Sequence, residues 1–271
     1  MDSEVKHYRH AYFFYFASIL IPWGLWFFIA YISHNYQDYY TALTSVGSLL
    51  GLLAPLIIAL VLILPNKLLK KDFLGRIFNL RSVHPKYLSL TFLLMPFSIL
   101  TAQLISLFFG YSTEQFQFRN GYTFSSGVLP VWFILIAAPV IEELAWHSYG
   151  TDSLRNRFNL LKTSLAFALF WGIWHFPLSF IKDYYHSNLI EEGLIYSINF
   201  FVSLFPFVLI MNWLYYKTNR NIFIAIIFHI SAGYFNELFA TDPMSKVIQT
   251  GLLILLSIYL ILNEKKFFTQ Q

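Results

Sequence analysis

The chain has no cysteine among its 271 residues. That excludes a disulfide framework, a thiolate nucleophile and any cysteine-ligated metal. Charge is also scarce. Asp, Glu, Lys and Arg make up 12% of the residues, against about 25% in soluble proteins. With a mean hydropathy of +0.57, that deficit points to a membrane protein. No stretch outside the apolar runs is long enough to bury a core of its own, so residues 1–271 read as a single membrane domain. Glycine-rich phosphate loops, internal repeats and low-complexity tracts are missing. The apolar runs are continuous rather than alternating, which argues against a β-barrel. A net charge of +4 does not require a nucleic-acid partner, because basic cytoplasmic loops account for such an excess in membrane proteins.

What is there is a set of apolar runs near the length of a spanning helix, about 20 residues. Eight are expected, at roughly 11–32, 43–65, 88–109, 128–149, 164–181, 194–216, 222–240 and 244–263. The fold class is therefore all-α, a polytopic helical bundle. The first run is too long for the apolar region of a cleaved signal and reads as an uncleaved span. Loop charges agree with the count. Of the 18 Lys and Arg residues, 15 fall on alternate connecting segments and tails, and 3 on the others. Since basic loops favour the cytoplasm, both termini are expected on the cytoplasmic side of a multi-pass cell-membrane protein.

Two connecting segments raise the question of surface helices. In KLLKKDFLGRIFNL, residues 67–80, Leu69, Phe73, Ile77 and Leu80 recur at helical spacing, with Lys70, Lys71 and Arg76 on other faces. That fits a helix lying on the inner leaflet, or equally a loop whose basic residues only fix topology. For TDSLRNRFNL, residues 151–160, the loop reading is preferred. Trp23, Trp26, Tyr184, Tyr185, Tyr215 and Tyr216 lie near span ends and read as interface anchors.

Against this apolar background a few residues are out of place. Residues 128–141 are all non-polar and lead into Glu142 and Glu143. His175 lies in FWGIWHFP and His229 in AIIFHISAG. Ionisable groups inside a span are expensive and face a protein interior or water, which makes them functional candidates. The plainer alternative places both carboxylates at a helix end wetted by the interface. Adjacent residues on a helix point about 100° apart. One of the pair is therefore expected to face the reaction centre, with the other supporting it. Glu143 and His147 are i and i+4 and share a face. Trp171 precedes His175 by one turn, and Asn236 lies two turns beyond His229. A carboxylate and two histidines suit two hydrolytic schemes. Glu142, His175 and His229 hold a metal such as zinc with an open position for water, or Glu142 is the general base for water while the histidines and a donor hold the oxyanion. There is no HExxH. Buried Glu and His also make proton relays in transporters.

These residues resemble a known family. PVIEELAWHSYG is similar to the EExxxR motif of the CAAX prenyl protease and bacteriocin-processing family, also called the abortive-infection family. SLAFALFWGIWHFP is similar to its FxxxH motif, and NIFIAIIFHISAG to its HxxxN motif. The three occur in order, within residues 125–240, the expected catalytic core. The resemblance implies an intramembrane endopeptidase that cuts a membrane-associated peptide: a prenylated CAAX-type tail, a bacteriocin leader or a pheromone-like peptide. It implies Glu142 as activator of water, with His175 and His229 as partners. Family members are filed as metalloproteases, although a metal-free glutamate mechanism is also argued.

Three positions depart from the pattern. The motif arginine is His147, the motif phenylalanine is Trp171, and the motif asparagine falls on Gly233, which has no side-chain donor. Ser231, Ala232 and Gly233 read as a small-residue packing patch. The departures leave a second reading: a catalytically weakened relative acting as a membrane binding, immunity or regulatory protein. Depth is a further difficulty. Counted along the expected spans, Glu142 and His229 lie roughly 10 Å from the cytoplasmic face and His175 nearer 16 Å.

Overall fold

The computed structural model describes residues 3–36, 40–77, 79 and 83–270. These form helices and short turns, with no strand among the described residues beyond an isolated bridge between Phe118 and Phe239. The helices are α1 (Ala11–Asn35), α2 (Tyr40–Ile63), α3 (Lys67–Ile77), α4 (Pro85–Leu107), α5 (Val131–Ala145), α6 (Thr151–Arg155), α7 (Leu160–His175), α8 (Tyr185–Glu192), α9 (Leu194–Lys217), α10 (Ile222–Leu238), α11 (Pro243–Asn263) and α12 (Lys265–Thr269). Helix starts follow the sequence. The Asn159, Asn221 and Asp242 side chains each accept a backbone N–H of the first turn, and Pro85 occupies the first position of α4. Pro22, Pro55, Pro96, Pro139 and Pro206 lie inside helices. Neighbouring helices and local adjustments re-satisfy the freed carbonyls of such membrane helices.

Among the described residues six helical segments are long and apolar enough to cross a membrane, and a seventh if Leu160–Phe180 and Tyr185–Glu192, bent by 82°, count as one span. The eighth expected span is α10, whose 17 residues extend only about 25 Å, short of a hydrocarbon core of about 30 Å. Eight is therefore an approximate count. The two short segments each bury one face: Phe167, Trp171 and Trp174 in α7, and Ile224, Ala225 and Phe228 in α10, are buried, while Leu165, Leu169 and Ile173 of α7 stay exposed. The helix pairs in contact include α1 with α2, α4 with α10 and α11, α7 with α9, and α9 with α11. α5 packs between α2 and α10.

The fourth span does not end at 149. Helix α5 passes through one π-turn, Trp146–Gly150, into α6, so the span runs Val131–Arg155. Asp152 is fully buried, and 151–155 is helix rather than a basic loop. Helix α3 forms as its spacing predicts, with Leu69 and Phe73 buried, but Arg76 shares their buried face. Leu80 lies outside the described residues. Arg76 donates to the carbonyls of His147 and Ser148, both at 3.2 Å, and to the hydroxyls of Tyr8 (2.7 Å) and Tyr215. It also pairs with Asp72 (2.9 Å) and Asp152 (3.1 Å), and Arg220 bridges the same two carboxylates. A π-turn breaks the regular hydrogen-bond ladder, and here two of its carbonyls bind a guanidinium. The cluster of Asp72, Arg76, Asp152 and Arg220 closes the end of the bundle that carries the termini.

Several aromatics are not interface anchors. Trp26 is 1% exposed and packs on Trp174, Tyr215 is fully buried, and Tyr216 donates to Asp152. The burial of Trp26 and Tyr215 reflects packing in a chain whose Phe, Tyr and Trp content, 20%, exceeds what two interfacial belts hold.

Candidate active site

An elongated cavity of about 380 Å³ enters the bundle at the end opposite the ion cluster. Its mouth is rimmed by the start of α2, residues 124–129, the segment around α8 and the start of α11. Glu142, Trp171, His175 and His229 line its depth. Measured along the observed helices at about 1.5 Å per residue, Glu142 lies roughly 20 Å from Arg155 and His175 roughly 22 Å from Leu160. The mismatch in depth expected from the sequence disappears because α7 begins at Leu160 and the fourth span extends to Arg155. α10 begins at Ile222, itself fully buried, so His229 starts from inside the bundle rather than from its surface.

The adjacent carboxylates divide as a helix requires. Glu142 faces the cavity. Its Oε2 accepts from the indole N–H of Trp171 at 2.9 Å and from that of Trp146 at 3.4 Å. No hydrogen bond among the described residues reaches its Oε1. Glu143 points the other way and is fully buried. Its Oε1 lies 2.7 Å from His229 Nδ1, and its Oε2 contacts His147 Nδ1. Glu143 thus ties the motif helix to α10.

His147 stands at the motif arginine and meets two acceptors, Glu143 Oε2 through Nδ1 and Asn212 Oδ1 through Nε2 at 2.9 Å. Asn212 in turn donates from Nδ2 to Ser164 Oγ at 3.0 Å, which directs its oxygen at the ring. Both ring nitrogens are engaged, so His147 makes two side-chain contacts where the motif has an arginine. Trp171, at the motif phenylalanine, keeps the ring, stacked on Phe167 at 5.6 Å, and adds the N–H that fixes Glu142. His175 directs Nδ1 at the Trp171 carbonyl, 2.7 Å away. A carbonyl only accepts, so Nδ1 carries the hydrogen and Nε2 presents its lone pair. In His229, with Nδ1 on Glu143, Nε2 is the atom left for a ligand. Its ring meets the edge of Trp171 at 5.2 Å.

The remaining expected positions differ. Asn236 lines the cavity but donates to the Tyr185 hydroxyl at 3.4 Å and makes no bond to the Glu–His group. Ser231 donates to the Phe92 carbonyl at 2.9 Å and so faces α4, whereas Ala232 and Gly233 line the cavity. A Cβ on Gly233 meets only Leu135, at 3.8 Å. The expected packing patch is therefore not continuous, and Gly233 has room beside it. Among the described residues no three His, Asp or Glu side chains are grouped to hold a metal ion. His175 and His229 both engage Nδ1, with a carbonyl and a carboxylate, and leave Nε2 free, an arrangement that metal-binding histidines also use.

Sequence reasoning missed Trp146, Asn212 and Ser164. Asn212 had a signal, since it is a lone amide in the apolar run FVLIMNWL. His186, in α8, was missed because it lies outside any apolar run. It stacks on His175 with ring centroids 5.0 Å apart.

Comparison with known proteins gives two matches. Residues 124–235 fit the model of the "Type II CAAX prenyl endopeptidase Rce1-like" family. Along its whole length the chain is 39% identical to the "CAAX prenyl protease 2" of Methanococcus maripaludis, over 273 aligned residues that cover 100% of this chain and 99% of the relative.

Proposed function

The chain belongs to the CAAX prenyl endopeptidase family, and from that premise we propose that it hydrolyses a peptide bond inside the membrane with Glu142 as general base. One observation carries the proposal: Glu142 lines the cavity and is held by two indole N–H groups on one oxygen, with no hydrogen bond among the described residues on the other. In this reading Glu142 Oε1 takes a proton from a water whose position is set by His175 Nε2. The hydroxide attacks the scissile carbonyl, and the C–O bond forms as the carbonyl π-pair moves onto oxygen. A protonated His229 donates from Nε2 to that oxyanion. When the C–N bond breaks, Glu142 returns its proton to the leaving amine. Glu143 is a positioning residue in this scheme, since it orients His229 and His147 and does not reach the cavity. The proposal assigns every proton to side chains of the chain itself.

The substrate class follows from the setting. A cavity buried in a lipid-facing bundle suits a peptide delivered along the membrane, either a prenylated C-terminal tail or a hydrophobic secreted peptide. The bias of Lys and Arg supports cytoplasmic termini. In that orientation the mouth opens on the opposite face.

The test is Glu142→Gln, which keeps the shape and removes the base. Purified protein in nanodiscs, given a farnesylated peptide with a C-terminal CAAX sequence, should lose cleavage by at least about 10³-fold, while peptide binding and thermal unfolding stay near wild type. The empty donor position at Gly233 supports the second reading, a binding or immunity protein. Wild-type protein that binds the peptide without cutting it, and a biological activity that survives Glu142→Gln, would favour that reading.

A further inference from the structure

Buried groups that the proposed chemistry leaves unused centre on His186. Both of its ring nitrogens are buried and have no hydrogen-bond partner among the described residues. Its ring packs against other rings. It lies between His175, 5.0 Å away at 29°, and Tyr184, 5.9 Å away at 12°, with the edge of Phe200 at 4.7 Å. Burying an imidazole with neither nitrogen paired costs free energy, and a stack of rings does not supply the missing bonds. Stacking alone asks for a phenylalanine. A polar ring at this place is matched to a ligand.

The element that carries it is loosely packed. Helix α8 follows a bend of 82° and has no fully buried residue. On either side, Asp183 and Gly193 have φ of 60° and 145°, outside the helical range. Direct polar ties from α8 to the rest of the mouth include Asn188 Nδ2 to the Thr123 carbonyl (2.8 Å) and the long contact between Asn236 and Tyr185. The segment lines the cavity, with Tyr185, His186 and Leu189 among its walls. One turn beyond His229, Gly233 also lines the cavity; it carries no donor, and a Cβ there meets only Leu135, at 3.8 Å.

We propose that α8 is a lid whose His186 binds the backbone of the peptide substrate: entry of the peptide displaces the lid, and the imidazole exchanges its stacked, unpartnered state for hydrogen bonds to a peptide amide. A neutral imidazole offers one N–H and one lone pair, the complement of one C=O and one N–H. Placed against His175, its N–H supplies the donor that Gly233 does not. The inference rests on the peptidase reading for its substrate class, but it is tested by binding as well as by cleavage.

His186→Phe keeps the stack and removes both nitrogens. With the farnesylated CAAX peptide, kcat/KM should fall about 10- to 100-fold, while the unfolding temperature stays level or rises. In a Glu142→Gln background, where no cleavage confuses the readout, peptide affinity should fall similarly. Gly233→Asn should restore part of the lost rate to His186→Phe, because it replaces the donor. The lid is tested in the same protein with Asn188→Cys and Thr123→Cys, which are clean because the native chain has no cysteine. The oxidised pair should be inactive and should recover on reduction. Full activity and full affinity in His186→Phe would overturn the role of His186. Unchanged turnover in a fully cross-linked sample would overturn the lid. If wild-type protein binds the peptide but does not cut it, the peptidase reading fails while the affinity measurement still decides this one.

Discussion

Replacing Glu143 with glutamine separates the base from the residue that positions it. Glu143 is fully buried and accepts from two imidazoles, one on each oxygen. Glutamine has one oxygen to offer. Its NH₂ group must face a ring N–H, so either His147 or His229 loses its acceptor and meets a donor instead. A hydrogen bond to a charged group contributes about 1.5–3 kcal/mol. If that loss falls on the orientation of His229, kcat/KM should drop about 10- to 150-fold. Breaking a buried pair also destabilises, typically by about 3–5 kcal/mol, which for a protein of this size lowers the unfolding midpoint by about 6–20 °C. Cleavage of the farnesylated CAAX peptide and unfolding in the same nanodiscs, assayed well below the lowered midpoint, give both quantities. The expected signature is a partial loss of rate with a large loss of stability, against near-complete loss of rate and little loss of stability for Glu142→Gln. If Glu143→Gln were as inactive as Glu142→Gln and as stable as wild type, Glu143 would be the base and the assignment would be reversed. If it cleaved at the wild-type rate, the link from Glu143 to His229 would have no part in catalysis.

Two further outcomes follow from the geometry. Arg76→Leu removes the guanidinium that binds two π-turn carbonyls and leaves Asp72 and Asp152 to Arg220 alone, so stability should fall by about 3–5 kcal/mol; an unfolding midpoint within about 2 °C of wild type would show that the cluster is dispensable. For topology, Lys266→Cys and Ser126→Cys, labelled in intact cells with a membrane-impermeant maleimide, should be protected and labelled respectively. The opposite pattern would place the mouth in the cytoplasm and overturn the orientation drawn from loop charges.

The helical bundle was legible because burying a chain in lipid leaves few alternatives and the apolar runs state their own length. Glu142, Glu143, His175 and His229 were legible for the same reason, as costly groups in the wrong solvent. The i, i+4 pairing of Glu143 with His147 followed from helix geometry. What could not be read was anything set by two distant segments meeting. Trp171 looked like a mild substitution until its indole N–H was found on Glu142. Arg76 looked like a surface charge because a single helix cannot show that its buried face meets a π-turn. His186 was hidden by an interfacial-looking neighbourhood, YYHSN, whose burial depends on how α8 folds back over the cavity. The count of eight spans is approximate because length alone does not distinguish a helix that crosses lipid from one that stands inside the protein.

The cavity's mouth lies at the end away from the termini and from most of the lysines and arginines. Insertion direction and supply of substrate are therefore a single choice. On the orientation that the loop charges predict, the cations that orient the chain lie far from Glu142, yet they set which compartment's peptides reach it. Moving a few of them from one set of loops to the other would leave every distance in the site unchanged and present the enzyme with a different population of tails.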